Sequence, residues 1–296
     1  MTQSTVSVSP STYVPPRTKP FHRQLRIDRQ TVGLYLALFG LSILFCIPFL
    51  WLVLTSLKPP VEVFDGRWVP REVTLENYRD VFRLAPVTTW LRNSLLISVL
   101  GVATVVLSSS LVAYGFARLR FHGRRYLFGL VIATYMVPSA ITMVPTFLIW
   151  NELGLVGTFY PLWAGNLFGS AFYIFMLRQF FLSIPQDLSD AARIDGAGYF
   201  RIYWSIMLPL LKPALAAVAV FEFQAKWNDF LIPLIYLNRP SMYTMSLGLG
   251  TFRSEYETQW ALLMAASVIF TVPMIVLFFL AQRYFVTGVV SSGLKT

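Results

Sequence analysis

The chain has one cysteine, Cys46, and two histidines, His22 and His122. A disulfide framework or a paired-cysteine metal site is therefore excluded. No Gly-x-x-x-x-Gly-Lys-[Ser/Thr] loop occurs, and no Gly-Lys pair at all, so the backbone cradle and lysine that commonly hold nucleotide phosphates are missing. Gly248-Leu-Gly250 lacks the third glycine of a dinucleotide fingerprint. His-Glu-x-x-His and Gly-x-Ser-x-Gly are absent too. No catalytic residue and no metal ligand is assigned, and no cofactor is expected in this chain.

Charge is the scarcest property. Only 13% of the 296 residues are Asp, Glu, Lys or Arg, while 56% are hydrophobic. Soluble domains carry about 25% charged residues. None occurs in 30–57, 93–117, 126–151, 153–177 or 258–282. Each window exceeds the ~20 apolar residues that cross a bilayer as a helix. A sixth window, 213–237, is interrupted only by Glu222, Lys226 and Asp229. A buried soluble helical protein would not repeat such runs at every element. Barrel strands alternate with period two over ~10 residues, whereas Leu34–Leu54 is continuously apolar. The reading is an all-α membrane protein with six helices, about 32–56, 92–116, 127–149, 159–180, 211–236 and 261–284.

Basic residues orient the spans. Arg17, Lys19, Arg23, Arg26, Arg29, Arg118, Arg120, Arg124, Arg125, Arg178, Arg193, Arg201, Lys212, Arg283 and Lys295 fall on one side. Lys58, Arg67, Arg71, Arg79, Arg83, Arg92, Arg239 and Arg253 fall on the other. The first set is about twice the second, and basic loops stay cytoplasmic. Both termini and the 178–212 loop are thus expected inside. The net charge of +10 reads as topology plus attraction to anionic membrane lipid, with no nucleic-acid partner. Residues 1–30 read as a disordered basic cytoplasmic tail, 31–285 as the transmembrane domain with a cytoplasmic loop at 181–212, and 286–296 as a second tail. The first span is read as retained rather than as a cleaved signal.

Within the spans, Pro48, Pro138, Pro145, Pro161, Pro233 and Pro273 suit ordinary kinks or a path that opens and closes. Gly165-x-x-x-Gly169 offers a close-packing face. Trp51, Trp68, Trp90, Trp150, Trp163 and Trp260 fall near span ends, as in an interfacial belt. No internal repeat relates the two halves, which disfavours many secondary transporters. Asn77, Tyr78 and Phe82 suit a short interfacial helix. Asn238-Arg239-Pro240 opens a long loop in which Gly248 and Gly250 give pliability.

Glu222, Lys226 and Asp229 are the ionisable groups inside a span. Each costs on the order of 3 kcal/mol at mid-bilayer. The i,i+4 and i,i+3 spacings let Lys226 compensate both acids on one face. A proton or ion relay is one reading; a neutralised face toward a subunit or a water cavity is the other.

The 178–213 loop is too patterned for a linker. Ser189 is a candidate cap, Asp190 lies in a first turn, and Gly196 suits a left-handed stop, giving a helix at 190–195. A second amphipathic stretch, Tyr199–Met207, ends ahead of Pro209. Ala191, Ala192 and Ala197 keep the surface small, which fits a groove on another protein. Lying on the membrane instead would call for a large apolar face.

The run Asp190-Ala191-Ala192-x-x-Asp195-Gly196-Ala197, continued by Phe200, Ile206, Leu208 and Pro209, resembles the EAA loop of permease subunits in binding-protein-dependent ABC importers. Asp190 replaces the usual Glu of that motif. Trp227-Asn228-Asp229-Phe230, Asn93-Ser94-Leu95 and Gly288-Val-Val-Ser-Ser-Gly293-Leu-Lys295 are similar to the maltose-type G permease of the carbohydrate-uptake branch. The resemblance implies a type I importer permease fold. It implies that the loop docks in a cytoplasmic ATPase, present in two copies, which binds ATP and Mg. A second, homologous permease and an extracytoplasmic solute-binding protein complete the implied assembly, in a bacterial or archaeal inner membrane. By the same analogy 238–258, with Ser241, Met242, Tyr243, Gly248 and Gly250, contacts the binding protein, and 286–296 touches the ATPases. Glu222, Lys226, Trp227, Asn228 and Asp229 are the candidate pathway or interface residues. A self-sufficient secondary transporter or channel using Glu222, Lys226 and Asp229 is the competing reading.

Overall fold

The computed structural model describes residues 29–253 and 259–292, with 283–292 as backbone only. Most of the 1–30 tail, residues 254–258 and the end of the Gly288–Lys295 motif lie outside the described residues. Those described form helices and no β-strand. Met1–Ile47 and Pro48–Thr296 are two compact units. In the first, the opening of α1 (Arg29–Ser56) exposes apolar side chains such as Leu36, Phe39 and Phe45.

The second unit continues with α2 (Glu76–Leu84) and α3 (Val87–Arg118), then α4 (Arg124–Tyr135) and α5 (Ser139–Glu152). Next come α6 (Tyr160–Trp163), α7 (Ala171–Ser183), α8 (Asp187–Ile194), α9 (Tyr199–Ile202) and α10 (Leu208–Leu210). The chain ends with α11 (Lys212–Asn228), α12 (Leu231–Tyr236), α13 (Met245–Leu249) and α14 (Trp260–Ser292). Among the described residues, three helices are long and apolar enough to cross a membrane, or up to six if each bent pair is one span.

Backbone chemistry breaks what composition reads as continuous. The expected third span, 127–149, is α4 and α5 with a 96° bend between them. Pro138 causes it, since a proline lacks the N–H and drives the residue before it out of helical geometry. The fourth span is interrupted too: a 3₁₀ turn at Ala164–Phe168 ends at Gly169, whose φ is +80°. Nothing among the described residues lies within 4 Å of a Cβ at Gly165 and Gly169 ends a turn, so the two glycines form no helical packing face within this chain. The fifth stops at Asn228, and Asp229 is extended before α12 restarts.

α3 is the central post, packed against α7 and α11, with α11 in turn on α14. Its 32 residues reach ~48 Å, beyond the ~30 Å hydrocarbon core. Much of its buried face is small or polar: Asn93, Ser94, Ser98, Gly101, Ser109, Ser110, Ala113 and Ala117 lie among larger residues such as Trp90, Ile97 and Tyr114. Small residues let membrane helices approach closely. One apolar cluster, including Tyr114, Leu177, Phe181, Ile202 and Met207, fills the end near α8. Another, including Val81, Trp90, Met245 and Ala265, fills the opposite end. Trp90 is therefore core and not part of an interfacial belt. α4 and α5 have no fully buried residue; Phe128, Val131 and Phe147 are half-buried against the core and most of the rest is exposed, as suits helices facing lipid or another subunit.

The expected interfacial helix is α2. Asn77 holds it down, its Nδ2 donating to the carbonyls of Ser56 and Lys58 at 2.8 Å each.

Candidate functional site

The patterned loop folds as expected in kind and differs in detail. α8 starts at Asp187, earlier than the 190 read from the sequence. Pro185 ends the preceding chain and Asp187 enters the first turn with Asp190, both favourable to the helix dipole. Ser189 is not the cap; it is buried, and its Oγ has no hydrogen-bond partner. The stop is as read. Gly196 has φ +79°; its N–H reaches the Arg193 carbonyl and the Ala197 N–H the Ala192 carbonyl, both at 2.9 Å. These two bonds form a Schellman stop. Asp190 pairs with Arg193 one turn on at 3.7 Å, and Arg193 stacks over Tyr199 at 4.7 Å. The shorter carboxylate is thus used within the loop.

The second stretch runs past Met207 through Pro209 to Leu210. Tyr203–Met207 is a π-turn. Its wider coil relieves the clash that the Pro209 ring would make with the carbonyl four residues back.

The loop is braced to α3 and α7. Arg118 donates to the carbonyls of Phe181 and, at 2.6 Å, Ile184. The Tyr114 hydroxyl donates to the Tyr199 carbonyl at 3.1 Å, and Ser110 and Tyr203 share a bond of 2.8 Å. Ala192 is buried and Ala197 half-buried, so they seat α8 rather than face outward. Asp190, Ala191, Asp195, Gly196, Phe200 and Pro209 are exposed; Ile206 and Leu208 are half-buried against the core. The outward face is less small than expected. Ile194 is 87% exposed, and Leu188, Tyr199, Phe200 and Trp204 are exposed beside it. Sequence reasoning missed Ile194. Its signal was an unpaired apolar residue immediately before the Asp-Gly stop.

The intramembrane charges are only partly paired as expected. Glu222 accepts a bond from Asn166 Nδ2 at 2.6 Å and lies 3.9 Å from Lys226 Nζ. Lys226 donates to the Leu162 carbonyl at 2.7 Å. Asn166 Nδ2 also reaches the Gly101 carbonyl at 3.0 Å, and Ser108 reaches the Asn166 carbonyl. The group therefore clamps the interrupted fourth span onto α3 and α11. Asp229 forms no ion pair with Lys226. Its carboxylate instead accepts the Ile232 N–H at 3.2 Å, at the start of α12. Trp227 is buried, stacked on Phe223 and Phe270, while Asn228 is exposed. Lys226 also lines a cavity of about 350 Å³ with Ser139, Thr142, Thr146, Ile232 and Tyr236.

The loop after α12 is packed. Asn93 Nδ2 donates to the carbonyls of Ser241 and Tyr243 at 3.1 Å each, and Trp90 Nε1 to that of Pro240 at 2.8 Å. Ser241 and Gly250 are exposed, Met242 and Tyr243 half-buried. Gly248 is buried, and a Cβ there would lie 2.2 Å from Trp90 Cε3. Its role is clearance for the indole, which corrects the reading of pliability.

Membrane-length helices, a buried charge clamp and a braced loop helix with an apolar outer face are the features of a polytopic membrane protein. Residues 105–291 match the family of the binding-protein-dependent transport system inner membrane component, and the chain belongs to that family. It is 37% identical to the arabinooligosaccharides transport system permease protein AraQ of Halalkalibacterium halodurans, over 84% of this chain and 90% of that protein. It is 32% identical to the diacetylchitobiose uptake system permease protein NgcG of Streptomyces coelicolor, over 90% of this chain and 89% of that one. The fold matches a chain in the crystal structure of a bacterial ABC transporter involved in the import of the acidic polysaccharide alginate. That match has a TM-score of 0.74 and 24% identity, and covers 90% of this chain and 100% of the other. Membership of that family disfavours the self-sufficient transporter reading.

Proposed function

We propose that this chain is one of two permease subunits of an ATP-driven carbohydrate importer. It works with two copies of a cytoplasmic ATPase, which bind ATP and Mg, and with an extracytoplasmic solute-binding protein. Both termini and α8 lie in the cytoplasm, as the basic bias supports. One observation carries the reading: α8 is braced from within and presents Ile194, nearly fully exposed, at its tip. Closing of the ATPases on ATP pushes α8, and its buried Ala192 together with the bonds from α3 to the flanking segments pass the movement into the spans as a rigid body. The solute is an oligosaccharide, in keeping with the relatives. The hydroxyls of Ser139, Thr142 and Thr146 beside Lys226 give a polyol suitable partners.

Ile194→Asp and Gly196→Trp test the docking role. Ile194 is exposed and nothing lies within 4 Å of a Cβ at Gly196, but a tryptophan at that φ of +79° also strains the stop, so Ile194→Asp is the cleaner of the two. Membrane insertion should survive while co-purification of the ATPase is lost. Normal co-purification of the ATPase with both variants would overturn the docking role. Uptake by this chain alone in proteoliposomes, without an ATPase, would restore the self-sufficient reading.

A further inference from the structure

The turn between α3 and α4 carries a charge cluster of which the proposed function uses only Arg118. Arg118, Arg120 and Arg124, with Phe121, Leu182 and Gln186, line a cleft of about 460 Å³. Arg125 adjoins it, and Arg178 of α7 stands close enough to Arg124 for their charges to repel. None of these arginines has an ion-pair partner within 4.0 Å among the described residues. Asp190 acts on Arg118 through space, but it is paired with Arg193.

What they bond to is neutral. Arg118 donates to two carbonyls, yet its Nε is buried without a partner. Arg124 donates to the Leu119 carbonyl at 3.0 Å. Arg178 reaches the Phe116 carbonyl at 3.3 Å and sits over the Phe128 ring at 4.3 Å. Arg120 is exposed and bonds to nothing among the described residues. Several guanidinium charges thus converge on one cleft with no anion supplied by the chain. A guanidinium fork matches a phosphate.

The depth and the rim identify the anion's carrier. The cleft opens where α3 ends and α4 begins, at the ends of two membrane helices. Phe121 and Leu182 flank it, 42% and 46% exposed. A free phosphate has no use for such apolar flanks, whereas an amphiphile does. We propose that this cleft holds the headgroup of an anionic phospholipid. Arg120 and Arg124 grip the phosphodiester, and the acyl chains lie along Phe121 and Leu182. Basic pockets between membrane helices take such headgroups. Gln186 immediately precedes α8, so the lipid sits at the root of the docking helix.

The test uses the full chain in its transporter complex, extracted from mixed phosphatidylglycerol and phosphatidylcholine, with bound lipid counted by native mass spectrometry. The wild type should retain phosphatidylglycerol over phosphatidylcholine by more than about tenfold. Arg120→Gln with Arg124→Gln should abolish that preference. Arg125→Gln, outside the cleft lining, should leave it intact. If the double variant fails to assemble, Arg120→Gln alone should still reduce the preference severalfold. Equal retention of both lipids, a preference unchanged in the cleft variants, or an equal loss in Arg125→Gln would overturn the site. Displacement of phosphatidylglycerol by inorganic phosphate would assign the cleft to free phosphate instead. Loss of the ATPase with lipid retention unchanged would assign it to an acidic protein surface.

Discussion

Gly248→Ala adds one methyl group where the structure has no room for it. The new Cβ would lie 2.2 Å from Trp90 Cε3 and 2.5 Å from Cδ2. Carbon atoms rest at about 3.5–4.0 Å, so one group must retreat by more than an ångström. Neither is free to do so. Trp90 is 2% exposed and its Nε1 is bonded to the Pro240 carbonyl. On the other side Ser94 Oγ accepts the Met245 N–H at 2.7 Å and fixes the start of α13. Overpacking costs about 1–3 kcal/mol, and losing the indole bond adds about 1 kcal/mol. The expected total is about 2–4 kcal/mol, a fall in melting temperature of roughly 5–15 °C. Thermal unfolding of the purified complex checks it. A double-mutant cycle sharpens it: Trp90→Leu should cost less in the Gly248→Ala background than in the wild type, because the smaller side chain makes the room. A melting temperature within about 1 °C of wild type, or strict additivity in the cycle, would refute the clearance argument.

Two other outcomes follow from the packing. Glu222→Leu removes both the acceptor for Asn166 and the counter-ion of Lys226, whereas Glu222→Gln keeps an acceptor. The Leu variant should be the less stable by about 1–2 kcal/mol; equal losses on thermal unfolding would show that the clamp is not held by this side chain. In the loop after α1, Asp65 accepts the Arg67 N–H at 3.0 Å and pairs with buried Lys58 at 3.3 Å. The Arg67 N–H, with help from Lys58, holds the carboxyl below its ordinary 3.8. A depressed folded pKa gives stability that is present above 3.8 and lost as pH falls through the lower folded value. Amide exchange in 58–74 should therefore quicken below that range, and Asp65→Asn should show quickened exchange already at neutral pH. An Asp65→Asn loop as protected as wild type at neutral pH would remove Asp65 from the clamp.

Much of the architecture was legible in where charge is missing. A charge-free window marks a membrane segment whether or not the helix inside it is continuous. It therefore could not show the breaks at Pro138, Gly169 and Asp229, which come from backbone geometry. The loop between the fourth and fifth spans was readable because Asp-Gly and Pro are local signals with local effects. Ser189 misled for the same local reason: serine is a good cap, but here it falls one turn inside the helix and faces the core. Gly248 was unreadable, because its meaning lies in Trp90, distant in sequence. The Lys226 partner was half-readable. The i,i+4 acid is the one it uses, while the Leu162 carbonyl that accepts its hydrogen bond belongs to another span.

Most of the bonds that brace the loop between the fourth and fifth spans share one chemical property, the Ser110–Tyr203 pair being the exception. Arg118 and Tyr114 hold it through the carbonyls of Phe181, Ile184 and Tyr199. Every amino acid carries a carbonyl, so these anchors do not depend on which side chains the loop displays. Mutation can rewrite the outer face of α8 to suit a different partner without loosening the mount. The holding residues, Arg118 and Tyr114, sit on α3, outside the loop itself.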